Sequence, residues 1–196
     1  MWRIAGLGTA LILAAVAIAM LAGGLSWIKA LFYIDHMETE DRVERMQVDR
    51  VVETLQLAPG SVVADIGAGS GLFTRSLARE LASGVVYAVD INPNLLTHIE
   101  KDAKQAGLAN VKTVLAGERD PRLPEPVDLI FICDVLHLLD DPEQYLAGLH
   151  AHLRPGGRVA IISFVRNWPP TSNQFSADEL ERWMKQAGFA PVERHD

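Results

Sequence analysis

Val62-Val63-Ala64-Asp65-Ile66-Gly67-Ala68-Gly69-Ser70-Gly71-Leu72 decides the architecture. A short, mostly apolar run enters a glycine-rich bend, and Phe73, Leu77 and Leu81 then recur at the spacing of one helix face. Strand, bend and helix follow one another without a linker. Glycines at 67, 69 and 71 allow a tight turn and close approach of a ligand to the backbone. The helix starting near Leu72 offers unpaired N–H groups to an anionic group. The spacing is GxGxG, whereas the dinucleotide fingerprint GxGxxG needs its third glycine where Leu72 stands. A nicotinamide-dependent reductase is therefore disfavoured. Asp90 closes the next apolar run, Val85 to Val89, where a carboxylate can accept hydrogen bonds from both hydroxyls of a ribose. That supports a nucleoside without choosing which.

Outward from this bend, strand-like and helix-like segments alternate. Apolar runs lie at 62–66, 85–89, 111–115, 127–133 and 159–164, and helical patterns at 41–57, 94–105 and 142–153. Pro59-Gly60 ends the first of these helices, Gly107 the second and Arg154-Pro155-Gly156-Gly157 the third. Continuous apolar strands alternating with amphipathic helices predict an α/β fold, a doubly wound, mostly parallel, Rossmann-like sheet covered on both faces. Ser176 to Gln186 reads as a further helix with Ser176 capping it and Glu179 at the capping-box position, followed by a candidate sixth strand over 189–193.

Four segments in order resemble the successive motifs of the class I S-adenosylmethionine-dependent methyltransferases. They are VVADIGAGSGLFTRSLA, VVYAVDINPNLL, VDLIFICDVLHLLDDPEQYL and LRPGGRVAIISF, within residues 48–164. The resemblance implies S-adenosylmethionine as cofactor, with Asp65, Gly67, Ala68, Gly69 and Gly71 cradling its methionine part. It implies Asp90 on the ribose, Ile91 beside adenine, and Glu118 near the adenine amino group, with Asp120 as a rival. Asp134, after the fourth strand, is implied to lie near the methionine part or the transferable methyl. In this family the segment before the first strand can fold over the cofactor, so His36, Arg42 and Arg45 are possible contacts. The family usually ends with a seventh, antiparallel strand; with the chain ending at Asp196, that C-terminal strand is expected to be missing.

His137 follows Asp134 by three residues and is the candidate general base, because histidine gains and loses a proton near neutrality. Its structural alternative is a half-buried residue bonded to backbone. Asp140, Asp141 and Glu143 do not suggest a metal site: Asp141-Pro142 reads as a helix start with acidic residues at its positive end. No metal is expected. His150 and His152, two apart on a helix, do not face one another.

Composition narrows the partners. A formal net charge of -7 gives no basic surface for nucleic acid. Cys133 is the one cysteine, so an internal disulfide is impossible and a thiol-dependent chemistry such as arsenite methylation, which the arsenite-methyltransferase-like group suggests, is disfavoured. Much of the 49% apolar content lies at the front: the 25 residues between Arg3 and Lys29 carry no charge, enough to span a bilayer as a helix. A cleaved signal peptide is the alternative, but its apolar region is usually shorter.

The expected organisation is a transmembrane anchor over 1–35 and a methyltransferase domain over 36–196. Its expected place is a single-pass membrane position with the domain in the cytoplasm, where the cofactor is made. The expected function is methyl transfer to a small or lipophilic acceptor; the alternative is a membrane-tethered, non-catalytic cofactor-binding module. The sequence leaves acceptor and oligomeric state open.

Overall fold

The computed structural model describes residues 26–163 and 175–190. The apolar stretch at 4–25 and positions 191–193 of the candidate sixth strand lie outside the described residues, as does any further strand.

Five strands, β1 (Val62–Ile66), β2 (Val85–Asp90), β3 (Val111–Leu115), β4 (Val127–Cys133) and β5 (Leu153–Ile162), form one parallel sheet in the order β3-β2-β1-β4-β5. The order reverses between β1 and β4, opening a crevice at their carboxyl ends. Around the sheet lie α1 (26–37), α2 (Glu40–Met46), α3 (Val48–Thr54), α4 (Leu72–Glu80), α5 (Pro93–Gln105), α6 (Pro142–Gly148) and α7 (Ala177–Gln186).

Alternate strand residues face opposite sides, which explains the unbroken apolar runs. Val63, Val86, Leu129 and Phe131 pack with Val48 and Val52 of α3 and Phe73 and Leu77 of α4. Ala64, Ile66, Val89, Ile130 and Ile132 pack on the other face with Leu146 of α6, Leu149, and Trp183 and Met184 of α7. Ser176 caps α7 in a capping box with Glu179, as the sequence predicts.

Three boundaries differ from the sequence reading. The helix expected over 41–57 is broken at Gln47, whose left-handed backbone (φ 43°) turns α2 into α3 and lets both Met46 and Val48 enter the core. The helix expected over 142–153 stops at Gly148 and tightens into a 3-10 turn over Leu149–His152. β5 then starts at Leu153, because Val127 pairs with Leu153 and Leu129 with Arg158, so the Pro155-Gly156-Gly157 segment bulges from the ladder.

Among the described residues no helix is long and apolar enough to cross a membrane. The expected domain boundary at 35 falls inside α1. That helix packs on the domain by burying Ala30 and Ile34 against Leu95 of α5, and Asn94 Nδ2 donates to Ser26 Oγ at 2.6 Å.

Candidate active site

The glycine bend is held from two sides. Gly67 and Ala68 donate their N–H groups to the Val89 carbonyl (2.8 and 3.0 Å), tying the bend to the end of β2. Gly67, Gly69 and Gly71 all have positive φ (71°, 57° and 81°), which only glycine adopts without strain. Beside them, Asp90 is 8% exposed; its Oδ2 accepts the Gly69 N–H at 2.9 Å and its Oδ1 the Asn92 N–H at 2.8 Å. Burial raises the Asp90 carboxyl above its ordinary value, against the lowering effect of the Asn92, Gly69 and Ile91 N–H groups. A carboxylate has about four acceptor positions, so Asp90 keeps acceptor capacity for a hydroxyl.

Asp65 lies beneath the bend rather than on its surface. It is fully enclosed and accepts the Thr74 hydroxyl at 2.6 Å. Burial pushes its carboxyl up to about 7, with Thr74 opposing and the charge of Asp90 adding to the rise. Thr74 went unremarked in the sequence; the signal was its position one turn into the helix that leaves the bend. Asp65 thereby ties the end of β1 to the first turn of α4.

At the carboxyl end of β4, Asp134 has φ +56°, unusual for a residue other than glycine and common at functional turns. Its N–H donates to the Ile162 carbonyl of β5 (2.9 Å), which holds it in this conformation. Asp134 Oδ1 lies 3.4 Å from His137 Nδ1, and Oδ2 accepts from Arg42 at 3.4 Å. Arg42 thus reaches the site from α2, whereas His36 and Arg45 are exposed and Arg45 turns back to the Asp41 carbonyl. Val135 closes on Gly67, where an added Cβ would overlap its side chain.

The helix α1 covers this edge. Met37 Sδ comes within 2.8 Å of where a Cβ on Gly69 would stand. The Tyr33 hydroxyl is within electrostatic reach of Asp90, Arg42 and Asp134. Glu38 pairs with Arg75 of α4 at 2.5 Å, and Arg75 also donates to the Ser70 carbonyl in the bend at 3.0 Å. None of Tyr33, Met37, Glu38 and Arg75 was singled out for the site from sequence, since no local motif marks a residue that reaches a crevice from outside the sheet.

The remaining candidates sit along the same edge. Ile91, directly after β2, is 58% exposed, an uncommon state for isoleucine. Leu115, at the end of β3, and Leu138, beside His137, are likewise exposed. Glu118 is exposed after β3 and makes no hydrogen bond or ion pair among the described residues. Asp120 instead accepts from Arg122 N at 2.7 Å and pairs with His152 at 3.4 Å. Between the two rivals, Glu118 is the one free to meet a ligand. Asp141 caps α6 by accepting the Gln144 N–H at 3.0 Å, and His150 stacks on Phe189 (3.9 Å).

These features fit an adenosyl cofactor: a buried acid with spare lone pairs after β2, an exposed apolar side chain next to it, and a bend where a side chain in place of glycine would fill the cradle. They define a nucleoside-binding, doubly wound domain open at its carboxyl edge. Residues 64–159 match the family described as a methyltransferase domain, a match that supports a class I S-adenosylmethionine-dependent methyltransferase. A methyltransferase structure from Aquifex aeolicus, described as S-adenosylmethionine-dependent, superimposes with a TM-score of 0.71 at 26% identity, covering 79% of this chain and 86% of that one. Arsenite methyltransferase of Halobacterium salinarum is 29% identical over 154 residues, covering 70% of this chain and 39% of that protein. The ubiquinone/menaquinone biosynthesis C-methyltransferase UbiE of Cupriavidus taiwanensis is 26% identical over 142 residues, 70% of this chain and 58% of that protein. The chain thus spans about half the length of these curated relatives.

Proposed function

We propose that this protein transfers a methyl group from S-adenosylmethionine to a small, lipophilic acceptor at a membrane surface. The observation that carries the reading is the Asp134–His137 pair (3.4 Å), which stands on the same sheet edge as Asp90 and the glycine bend and next to exposed Leu138. The cofactor supplies an activated methyl group on a sulfonium. The chain's own task is then to hold acceptor and donor in line and keep water away. The bend and Asp90 fix the donor side, while α1 shields the crevice from solvent. Asp134 orients the His137 ring through Nδ1, leaving Nε2 to take a proton from an acceptor hydroxyl, amine or acidic carbon.

A lipophilic acceptor suits the apolar rim and the uncharged stretch between Arg3 and Lys29, which we read as a single-pass anchor with the domain in the cytoplasm. The sequence of UbiE, whose name places it in quinone biosynthesis, supports the same acceptor class. Arsenite is a poorer substrate for this site. Cys133 is the sole cysteine, and burial pushes its thiol up to about 12, so it offers no thiolate near neutrality.

The test is transfer of labelled methyl groups by the full chain in phosphatidylcholine vesicles, supplied separately with lipid-soluble and water-soluble extracts. Label in the lipid-soluble fraction, absent with Asp90→Ala, is expected. Tight cofactor binding with no labelled product from either extract would favour a non-catalytic, cofactor-binding module instead.

A further inference from the structure

The helix α1 has two apolar faces. Ala30 and Ile34 point at the domain and are buried on Leu95, with Met37 over the glycine bend. On the other side Trp27, Ile28, Leu31 and Phe32 are exposed, at 39%, 51%, 55% and 74%. They form two i, i+4 pairs, 27 with 31 and 28 with 32, so they make one continuous surface. Among the described residues, the remaining exposed large apolar side chains are Tyr33 on the same helix and Ile91, Leu115 and Leu138 along the carboxyl edge of the sheet. A patch of this kind is not left to water without reason.

We propose that the outward face of α1 is a bilayer-contact surface, so that the helix covering the cofactor crevice lies on the lipid interface and the crevice opens there. The inference rests on the reading of 4–28 as a membrane anchor. That uncharged stretch runs directly into α1, and Trp27 and Ile28 belong to both, so α1 begins where the chain leaves the hydrocarbon. A helix lying in the interface carries aromatic and aliphatic side chains on its lipid side and charged ones at its flanks. Here Trp27 and Phe32 are the aromatic residues, exposed Lys29 and His36 flank them, and exposed Asp35, one turn past Leu31, ends the apolar stripe. The nearby Asp35, Glu38, Glu40 and Asp41 give no attraction to anionic headgroups, so the contact is apolar and independent of anionic lipid. The helix is also fastened to the site it covers, through Glu38 to Arg75 and, past it, Arg42 to Asp134. A lipid-phase acceptor would thereby meet the mouth of the crevice without crossing water.

The test uses the full chain in phosphatidylcholine vesicles with a nitroxide attached at Phe32→Cys, at Leu31→Cys, or at Arg79→Cys, an exposed position of α4, as the control. Cys133 is half-buried, and label uptake by the unsubstituted chain measures its background. Power saturation compares accessibility to oxygen, which concentrates in the bilayer, with accessibility to a polar nickel chelate; thermal unfolding midpoints verify that each chain is folded. The expected result is an oxygen-to-chelate ratio several-fold higher at 32 and 31 than at 79, unchanged by added anionic lipid. A ratio at 32 equal to that at 79, in a chain that still floats with the vesicles, overturns the surface and leaves the anchor standing. Shielding of 32 from both reagents means that protein covers the face, a second copy or the preceding segment, and also overturns it. Failure to float overturns anchor and surface together. A bilayer-embedded label without methyl transfer to lipid-soluble acceptors upholds the surface and contradicts the acceptor reading alone.

Discussion

Asp90 Oδ2 accepts the backbone N–H of Gly69 at 2.9 Å, so the acid placed to hold a ribose also sets the shape of the bend placed to hold the amino-acid tail. In the proposed complex one carboxylate serves both halves of the cofactor. Asp90→Ala should weaken S-adenosylmethionine binding by at least about tenfold, since charge-assisted hydrogen bonds contribute roughly 1.5–3 kcal/mol each. Titration calorimetry on the full chain measures it, and an unchanged affinity would place the ribose elsewhere.

Asp65 makes stability depend on pH in the direction opposite to most carboxylates. Its folded-state value, raised to about 7 by burial, lies above that of the unfolded chain, so folding retains its proton. That contribution is full below about pH 4 and is lost as pH rises through 7. Asp65→Asn removes the part of the dependence that Asp65 contributes. Denaturant unfolding should show wild type losing stability relative to Asp65→Asn between about pH 4 and 7, by an amount on the order of a few kcal/mol, with no further divergence at higher pH. Parallel pH profiles for the two chains would refute it.

Gly67 is constrained both by its backbone (φ 71°) and by Val135. Gly67→Ala should destabilise the fold by about 1–3 kcal/mol and weaken cofactor binding. Val135→Ala in the same chain should recover the steric part, leaving about 1 kcal/mol for the left-handed backbone. Unfolding midpoints of the two single variants and the double variant separate these parts; absence of any recovery would mean that the backbone alone sets the cost.

His137 pairs with Asp134 and makes no hydrogen bond to the bend among the described residues, so it should act on turnover and not on cofactor affinity. His137→Gln is expected to lower kcat by about 100-fold or more while leaving the dissociation constant of S-adenosylhomocysteine unchanged. An undiminished kcat would remove it from proton transfer.

The sheet was legible because its strands are short apolar runs ended by glycine or acid; β1, β3 and β4 begin and end where those runs do. The glycine bend and Asp90 were legible for the same local reason. The break at Gln47 was not, since a glutamine in a left-handed conformation is imposed by packing of Met46 and Val48 and leaves no mark in helical periodicity. Nor was the covering helix: α1 is apolar on both faces, and along the chain that pattern merges with the uncharged stretch before it. Long-range partners such as Thr74 under Asp65, or Arg42 on Asp134 across 92 positions, emerge only when the topology brings them together.

Crystallisation of the full chain with S-adenosylhomocysteine tests the cofactor site most directly. The expected complex has the ribose hydroxyls within hydrogen-bonding distance of the Asp90 carboxylate, adenine against Ile91, and the amino-acid tail over Gly67 and Gly69. Density for the ligand away from the β1–β4 crevice, or a ribose that leaves Asp90 untouched, would contradict it.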